Sequence, residues 1–133
     1  MTLITCHYRG GLRCEAEHGP SGHRISTDAP TDNQGRGESF SPTDLVATAL
    51  ATCILTVMGI AAERRGWNLE GTEARVEKTM TREGVRRIAQ LTVWVRLPDH
   101  LDGAARDQLQ RFAEGCPVKR SLEGSVAMEI IWE

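Results

Sequence analysis

Residues 45 to 62, LVATALATCILTVMGIAA, run for eighteen positions without a charge. A stretch of that length stands at the threshold for crossing a bilayer. Its flanks point elsewhere. Ser41 fits a helix N-cap, Pro42 takes the first helical position and Asp44 falls three residues after the cap, an S-x-x-D capping box. Arg64 and Arg65 occupy the last turn, where cations suit the helix dipole, and Gly66 supplies a left-handed stop. Such a helix has about 24 residues and runs roughly 36 Å. Its threonines and many alanines, in a single such segment, predict a buried core helix and no membrane association.

The faces of this helix are unusual. Ala47, Ala51 and Gly59 form a small-residue ridge, Thr48, Thr52 and Thr56 form another, and Cys53 stands beside Ala49, Leu50 and Val57. A helix with almost no polar face must be covered nearly all round. The 133 residues suffice for one domain, 1–133, but not for that cover, so a second subunit is expected to share it. The threonine hydroxyls can bond carbonyls of the preceding turn and need no functional role.

The rest of the chain alternates around the helix. Ile4, Cys6 and Tyr8 share one strand face, and Leu12, Cys14 and Ala16 share the next, with Arg9-Gly10-Gly11 as the turn. A three-residue loop or a glycine bulge matches the apolar faces and sets Cys6 across from Cys14. GHRISTD gives a third strand, and residues 28–40 are dense in turn formers and read as an exposed loop. Residues 72–81 and 87–97 predict a hairpin with Leu91, Val93, Val95 and Leu97 on one face. PDHLDGAARDQLQRFAEG predicts an amphipathic helix with a stripe through Leu101, Ala105, Leu109 and Phe112, and SVAMEIIWE closes as a strand. The order β-β-β-α-β-β-α-β has no repeated βαβ unit, which predicts an α+β fold with antiparallel pairing.

Charge narrows the partners. Sixteen basic against eighteen acidic residues give a net charge of −2, and the basic pairs are scattered. That offers no electrostatic argument for nucleic acid or an anionic membrane. MTLITCHYRGG lacks the basic and apolar regions of a signal peptide, so the expected compartment is the cytoplasm, where structural disulfides are uncommon.

Four cysteines, Cys6, Cys14, Cys53 and Cys116, are spaced too widely for a disulfide framework or a compact zinc site. Cys6 and Cys14 could still bridge across their strands. With His18 and His23 they would offer four ligands split over a flexible turn, a poor match to zinc spacings, so no metal is expected. Cys116 lies between Gly115, which can end a helix, and Pro117, suited to the first position of a new one. At such an N-cap, free N–H groups and the helix dipole favour a thiolate. The alternative is a small apolar plug under the Phe112 stripe. Cys53, in apolar surroundings on a helix, reads equally as core filling, and spacing alone cannot place it beside Cys116.

SFSPTDLVATALATCILTVMGIAAERRGW, followed some fifty residues later by CPVKRSL, resembles the OsmC/Ohr superfamily of thiol-dependent peroxidases, most of all its small bacterial OsmC-like branch. The likeness extends to YRGGLRCEAEHGPSG and STDAP near the start. It implies an α+β fold built as an intertwined homodimer around two long helices, with active sites at the dimer interface. It implies that Cys53 is the peroxidatic cysteine, which attacks an organic or lipid hydroperoxide, and that Cys116 resolves the sulfenic acid as a Cys53–Cys116 disulfide. A dithiol reductant, in the family protein-bound dihydrolipoamide, resets the pair without a cofactor. The family also sets an arginine and a glutamate at the thiol. Arg13 is the nearest match to the first, with Arg9 and Arg24 as alternatives. The glutamate's position, ten residues before Cys53, holds Thr43, and adjacent Asp44 is the candidate substitute. The other reading is a dimer of the same fold that binds a small thiol or acyl ligand, or senses redox state, with little turnover. Inert packing cysteines in a structural dimer are the third.

Overall fold

A computed structural model describes residues 1–133. The chain runs β1 (Ile4–Gly10), β2 (Arg13–His18), β3 (Arg24–Asp28), a 3-10 turn at Thr31–Asn33, α1 (Pro42–Arg65), β4 (Glu73–Met80), β5 (Ile88–Arg96), α2 (Gly103–Glu114), α3 (Pro117–Leu122) and β6 (Ala127–Trp132). This is the expected α+β order with one addition, the short α3 that begins after Cys116. The chain divides into two compact units, Met1–Val46 and Ala47–Glu133, and α1 runs from one into the other.

In the first unit β1, β2 and β3 form an antiparallel sheet. Its first hairpin departs from the expected register: Cys6 pairs with Ala16, and Cys14 pairs with Tyr8. The pairing slips between Tyr8 and Gly10, and the chain then reverses through Gly11 and Leu12, whose φ values are 61° and 63°. Both residues are left-handed, which a tight hairpin turn requires and glycine adopts freely. Leu12 does so at a cost of about 1 kcal/mol, and it belongs to the turn, not to the strand face shared by Cys14 and Ala16. The sheet leaves apolar side chains in the open, with Ile4 57%, Tyr8 66% and Ile25 43% exposed.

The capping box at the start of α1 forms as the residues dictate. The Ser41 N–H donates to Asp44 Oδ2 at 2.9 Å, and the Asp44 N–H donates to Ser41 Oγ at 3.1 Å. Such reciprocal bonds stabilise a helix start by about 1 kcal/mol. At the far end Gly66, with φ 72°, closes the helix.

In the second unit β4 pairs antiparallel with β5, but β6 joins β5 in parallel. Composition and order alone predict antiparallel pairing throughout. A parallel neighbour needs a long crossover, and residues 97–126, which carry α2 and α3, supply it. Leu91, Val93 and Val95 alternate into the core from β5, and α1 contributes Leu50, Ile54 and Met58. Each such buried side chain is worth about 1.5–3 kcal/mol. The α2 stripe runs through Leu101, Ala105, Leu109 and Ala113 in steps of four. The expected last member, Phe112, lies at the edge, 39% exposed, with the Arg65 guanidinium 4.8 Å from its ring centre.

The length and apolarity of α1 would let it cross a membrane, yet one stripe, from Ala47 to Ala62, is buried in the protein's core. The opposite side is open, with Thr52, Thr56 and Ile60 exposed. The Thr52 and Thr56 hydroxyls each donate at 2.8 Å to the carbonyl four residues earlier, so they face no water-starved void.

Candidate active site

Cys53 lies on α1, half-buried, three residues after Leu50 on the flank of the buried stripe. Cys116 is fully buried in the short connection between α2 and α3. Gly115 ends α2, Cys116 takes an extended conformation as the N-cap of α3, and Pro117 opens the new helix, as the local residues predict. The cap is made by sulfur: Cys116 Sγ accepts the Lys119 N–H at 3.4 Å.

Within the second unit the Cys53 side chain interacts with that of Cys116. Spacing in the sequence could not show this. The electrostatics of Cys116 differ from the sequence expectation of a favoured thiolate. Burial, followed by the hydrogen bond its S–H donates to the Cys53 sulfur, pushes its pKa above the ordinary thiol value, while the N–H groups of Lys119 and Val118 pull it down and lose. A charge on Cys53 would raise it further, in the same direction as burial. Nor does the nearby ammonium serve the sulfur. Lys119 Nζ pairs with Glu114 at 3.0 Å and Glu123 at 3.1 Å, and those carboxylates raise its pKa.

In the first unit each of the three candidate arginines has found a carboxylate. Arg9 pairs with Glu15 at 2.9 Å, and Arg24 with Glu17 at 3.4 Å. Arg13 Nη2 donates to Glu38 Oε2 at 2.6 Å and stands 3.6 Å from Oδ2 of Asp28, which is fully buried. The Glu38 hydrogen bond, ahead of the charges of Glu38 and Asp28, raises the Arg13 pKa. Asp28 Oδ2 also accepts the Glu38 N–H at 3.0 Å, which fixes the loop that leads into α1. Asp44 is committed to the capping box, and Thr43 Oγ1 lies 3.2 Å from Ser41 Oγ in the same cluster. Glu38 and Asp28 were not singled out by sequence reasoning. Both lie in the stretch read only as an exposed loop, and a buried Asp there is visible only in three dimensions.

The chain matches the model of the family described as OsmC-like protein over residues 35–131. It belongs to the OsmC-like family. This OsmC-like chain is 39% identical to a protein of Psychrobacter arcticus 273-4, provisionally named an osmotic stress induced and detoxification response protein. That structure aligns over 100% of this chain and 96% of its own at a TM-score of 0.92. The fold is also that of the Legionella pneumophila organic hydroperoxide resistance protein OsmC, at 18% identity and a TM-score of 0.79, with 100% and 96% of the two chains covered. The Bacillus subtilis organic hydroperoxide resistance protein OhrB is similar at 19% identity and a TM-score of 0.70, over 100% and 98% of the chains. A search of curated proteins matches none. The expectation of an OsmC/Ohr-type α+β fold is met.

Proposed function

We propose that this OsmC-like protein is a thiol-dependent peroxidase that reduces organic hydroperoxides at Cys53. The observation that carries the reading is the asymmetric thiol pair, half-buried Cys53 interacting with a fully buried Cys116. The Cys53 thiolate attacks the distal peroxide oxygen. An S–O bond forms, the O–O bond breaks, and the alkoxide takes a proton from water and leaves as an alcohol. The Cys116 thiol then attacks the sulfenic sulfur, an S–S bond forms and water departs. A dithiol reductant returns both cysteines to thiols and leaves oxidised to its own disulfide. Cys116 is suited to wait, because its raised pKa keeps it from competing for the peroxide.

Arg13 is proposed, on the family resemblance alone, as the cation for the thiolate; its own carboxylate partner is Glu38, and the oxygens of Asp44 serve the helix start. A homodimer is part of the proposal. Its support is the open surface within each unit: apolar Ile4, Tyr8 and Ile25 on the first sheet, and apolar Ile60, beside the exposed Thr52 and Thr56, along α1. The test is consumption of cumene hydroperoxide with a dithiol reductant, by wild type and Cys53→Ser. Equal consumption by the two would end the peroxidase reading.

Thr43, where the peroxidase branches carry a carboxylate, favours a second reading. In it a dimer of the same fold binds a small thiol or acyl ligand, or reports redox state, without rapid turnover. Mass spectrometry of the purified protein would then find a bound ligand and no peroxide consumption.

A further inference from the structure

The short helix α3 is fastened differently from α1 and α2. None of its residues, Pro117–Leu122, is buried. Three polar contacts hold it. At its start Cys116 Sγ accepts the Lys119 N–H at 3.4 Å. Across it, Lys119 Nζ joins Glu114, the last residue of α2, at 3.0 Å to Glu123, the residue that closes α3, at 3.1 Å. Beyond it, Arg87 from the β4–β5 connection donates to the Ser125 carbonyl. Helices shorter than about 12 residues are marginal alone, so α3 persists only while such contacts do.

The first of those contacts is made by a reacting atom. A disulfide holds its sulfurs about 2.05 Å apart, nearer than any non-bonded contact. Closing a Cys53–Cys116 bond draws Cys116 Sγ towards α1, while the N–H it caps belongs to α3 and is already 3.4 Å away. The bonded sulfur can no longer ionise, and a neutral sulfur is a weak acceptor. Oxidation of the pair therefore takes the cap from the helix that follows it.

Reduction of the same bond meets an obstacle that opening α3 removes. A reductant thiolate must reach the sulfur it attacks, and it expels the other. Cys53 is half-buried, but attack there expels Cys116, whose raised pKa makes it a poor leaving group. Attack at Cys116 expels Cys53 instead, yet Cys116 is fully buried. We propose that formation of the Cys53–Cys116 disulfide releases the Sγ cap and opens α3, which presents Cys116 to the incoming dithiol. One reductant thiolate bonds to Cys116 Sγ, the S–S bond breaks, and Cys53 leaves as a thiolate that water protonates. The second reductant thiolate displaces Cys116 and closes the reductant's own disulfide, and the freed Cys116 takes a proton and caps α3 again. Lys119 is a positioning residue, holding α3 shut while the pair is reduced. The switch rests on the disulfide of the peroxidase reading, but not on a hydroperoxide as the oxidant.

Diamide makes the disulfide without a peroxide: its N=N bond takes up the two thiol hydrogens, becoming a hydrazine, and the sulfurs join. Hydrogen–deuterium exchange of the reduced and the oxidised protein, with the bridge located by peptide mapping, tests the opening. Amides of residues 118–123 are expected to exchange about fivefold or more faster after oxidation, while those of α1 and β5 hold. Cys116→Ser keeps an oxygen cap but cannot bridge, so diamide should leave its α3 unchanged; a gain there would trace to another cysteine and overturn the proposal. The oxidised Lys119→Met protein should be reduced by dithiothreitol severalfold faster than wild type, and Lys119→Arg should restore the wild-type rate. Equal or slower exchange of residues 118–123 after oxidation, or an unchanged reduction rate in Lys119→Met, would also overturn it. So would a failure of diamide to join Cys53 to Cys116. Peroxide consumption that depends on Cys53 would survive that failure, so the switch and the peroxidase reading fall separately.

Discussion

The Arg13 guanidinium is held 2.6 Å from Glu38, a residue fifteen positions before Cys53 and outside the helix that carries it. Thr43 and Asp44, at the start of that helix, bond within the capping cluster instead. The contact is short and charge-assisted, but both side chains are partly exposed, 41% and 55%, so solvent screens it.

Glu38→Gln should slow the reaction of Cys53 with cumene hydroperoxide, and Arg13→Ala should slow it more, by about tenfold or above. Asp44→Ala should leave that rate constant in place while removing about 1 kcal/mol of stability through the lost cap, a fall of about 4 °C in Tm. Stopped-flow peroxide kinetics and calorimetric melting separate the two effects. A rate loss confined to Asp44→Ala would return the carboxylate role to the helix.

The two cysteines should fail differently. Cys53→Ser is expected to abolish peroxide consumption. Cys116→Ser should still consume about one equivalent of hydroperoxide per chain and then stall, its sulfenic acid trapped by dimedone and visible by mass. Continued turnover of Cys116→Ser with the same dithiol would show that the resolving thiol comes from elsewhere.

The raised Cys116 pKa has a sign that can be checked in two ways. Iodoacetamide at neutral pH should label Cys53 well before Cys116, since the buried thiol remains protonated. A folded-state pKa above the unfolded one stabilises the fold up to the unfolded value and is lost as pH climbs towards the folded one. Stability should thus decline above about pH 8.5–9, where an unfolded thiol ionises, and Cys116→Ala should flatten that part of the curve. Faster labelling of Cys116 than of Cys53 would contradict the assignment of the retained proton.

The open flank of α1 gives a fourth expectation. Wild type should sediment at twice the chain mass, and Ile60→Asp or Thr52→Arg, at exposed positions, should shift it towards the monomer without unfolding it. A monomeric wild type would remove the dimer from the proposal.

What the sequence disclosed follows the range of the forces involved. Ser41, Asp44 and Gly66 act within one helical turn, so both ends of α1 could be placed from residues alone. Cys116 as a cap depended only on its neighbours Gly115 and Pro117, and was legible for the same reason. Its proton affinity was not, because burial and a partner from another helix outweigh the local N–H groups. The hairpin register missed by two residues, since an extra left-handed leucine leaves no mark in the hydrophobic alternation. The parallel addition of β6 and the grip of Glu38 on Arg13 are contacts between distant segments, and no spacing rule reaches them.

The buried stripe of α1 has a meaning beyond its energy. A helix advances about 100° per residue, so side chains locked in a core set the direction of every other on the same helix. Leu50, Ile54 and Met58 are buried and hold that phase for Cys53, which lies among them. Ser41 and Asp44 only mark where the helix begins, and fraying at that end leaves the thiol facing as before. The index mark that keeps Cys53 turned to Cys116 is the core itself.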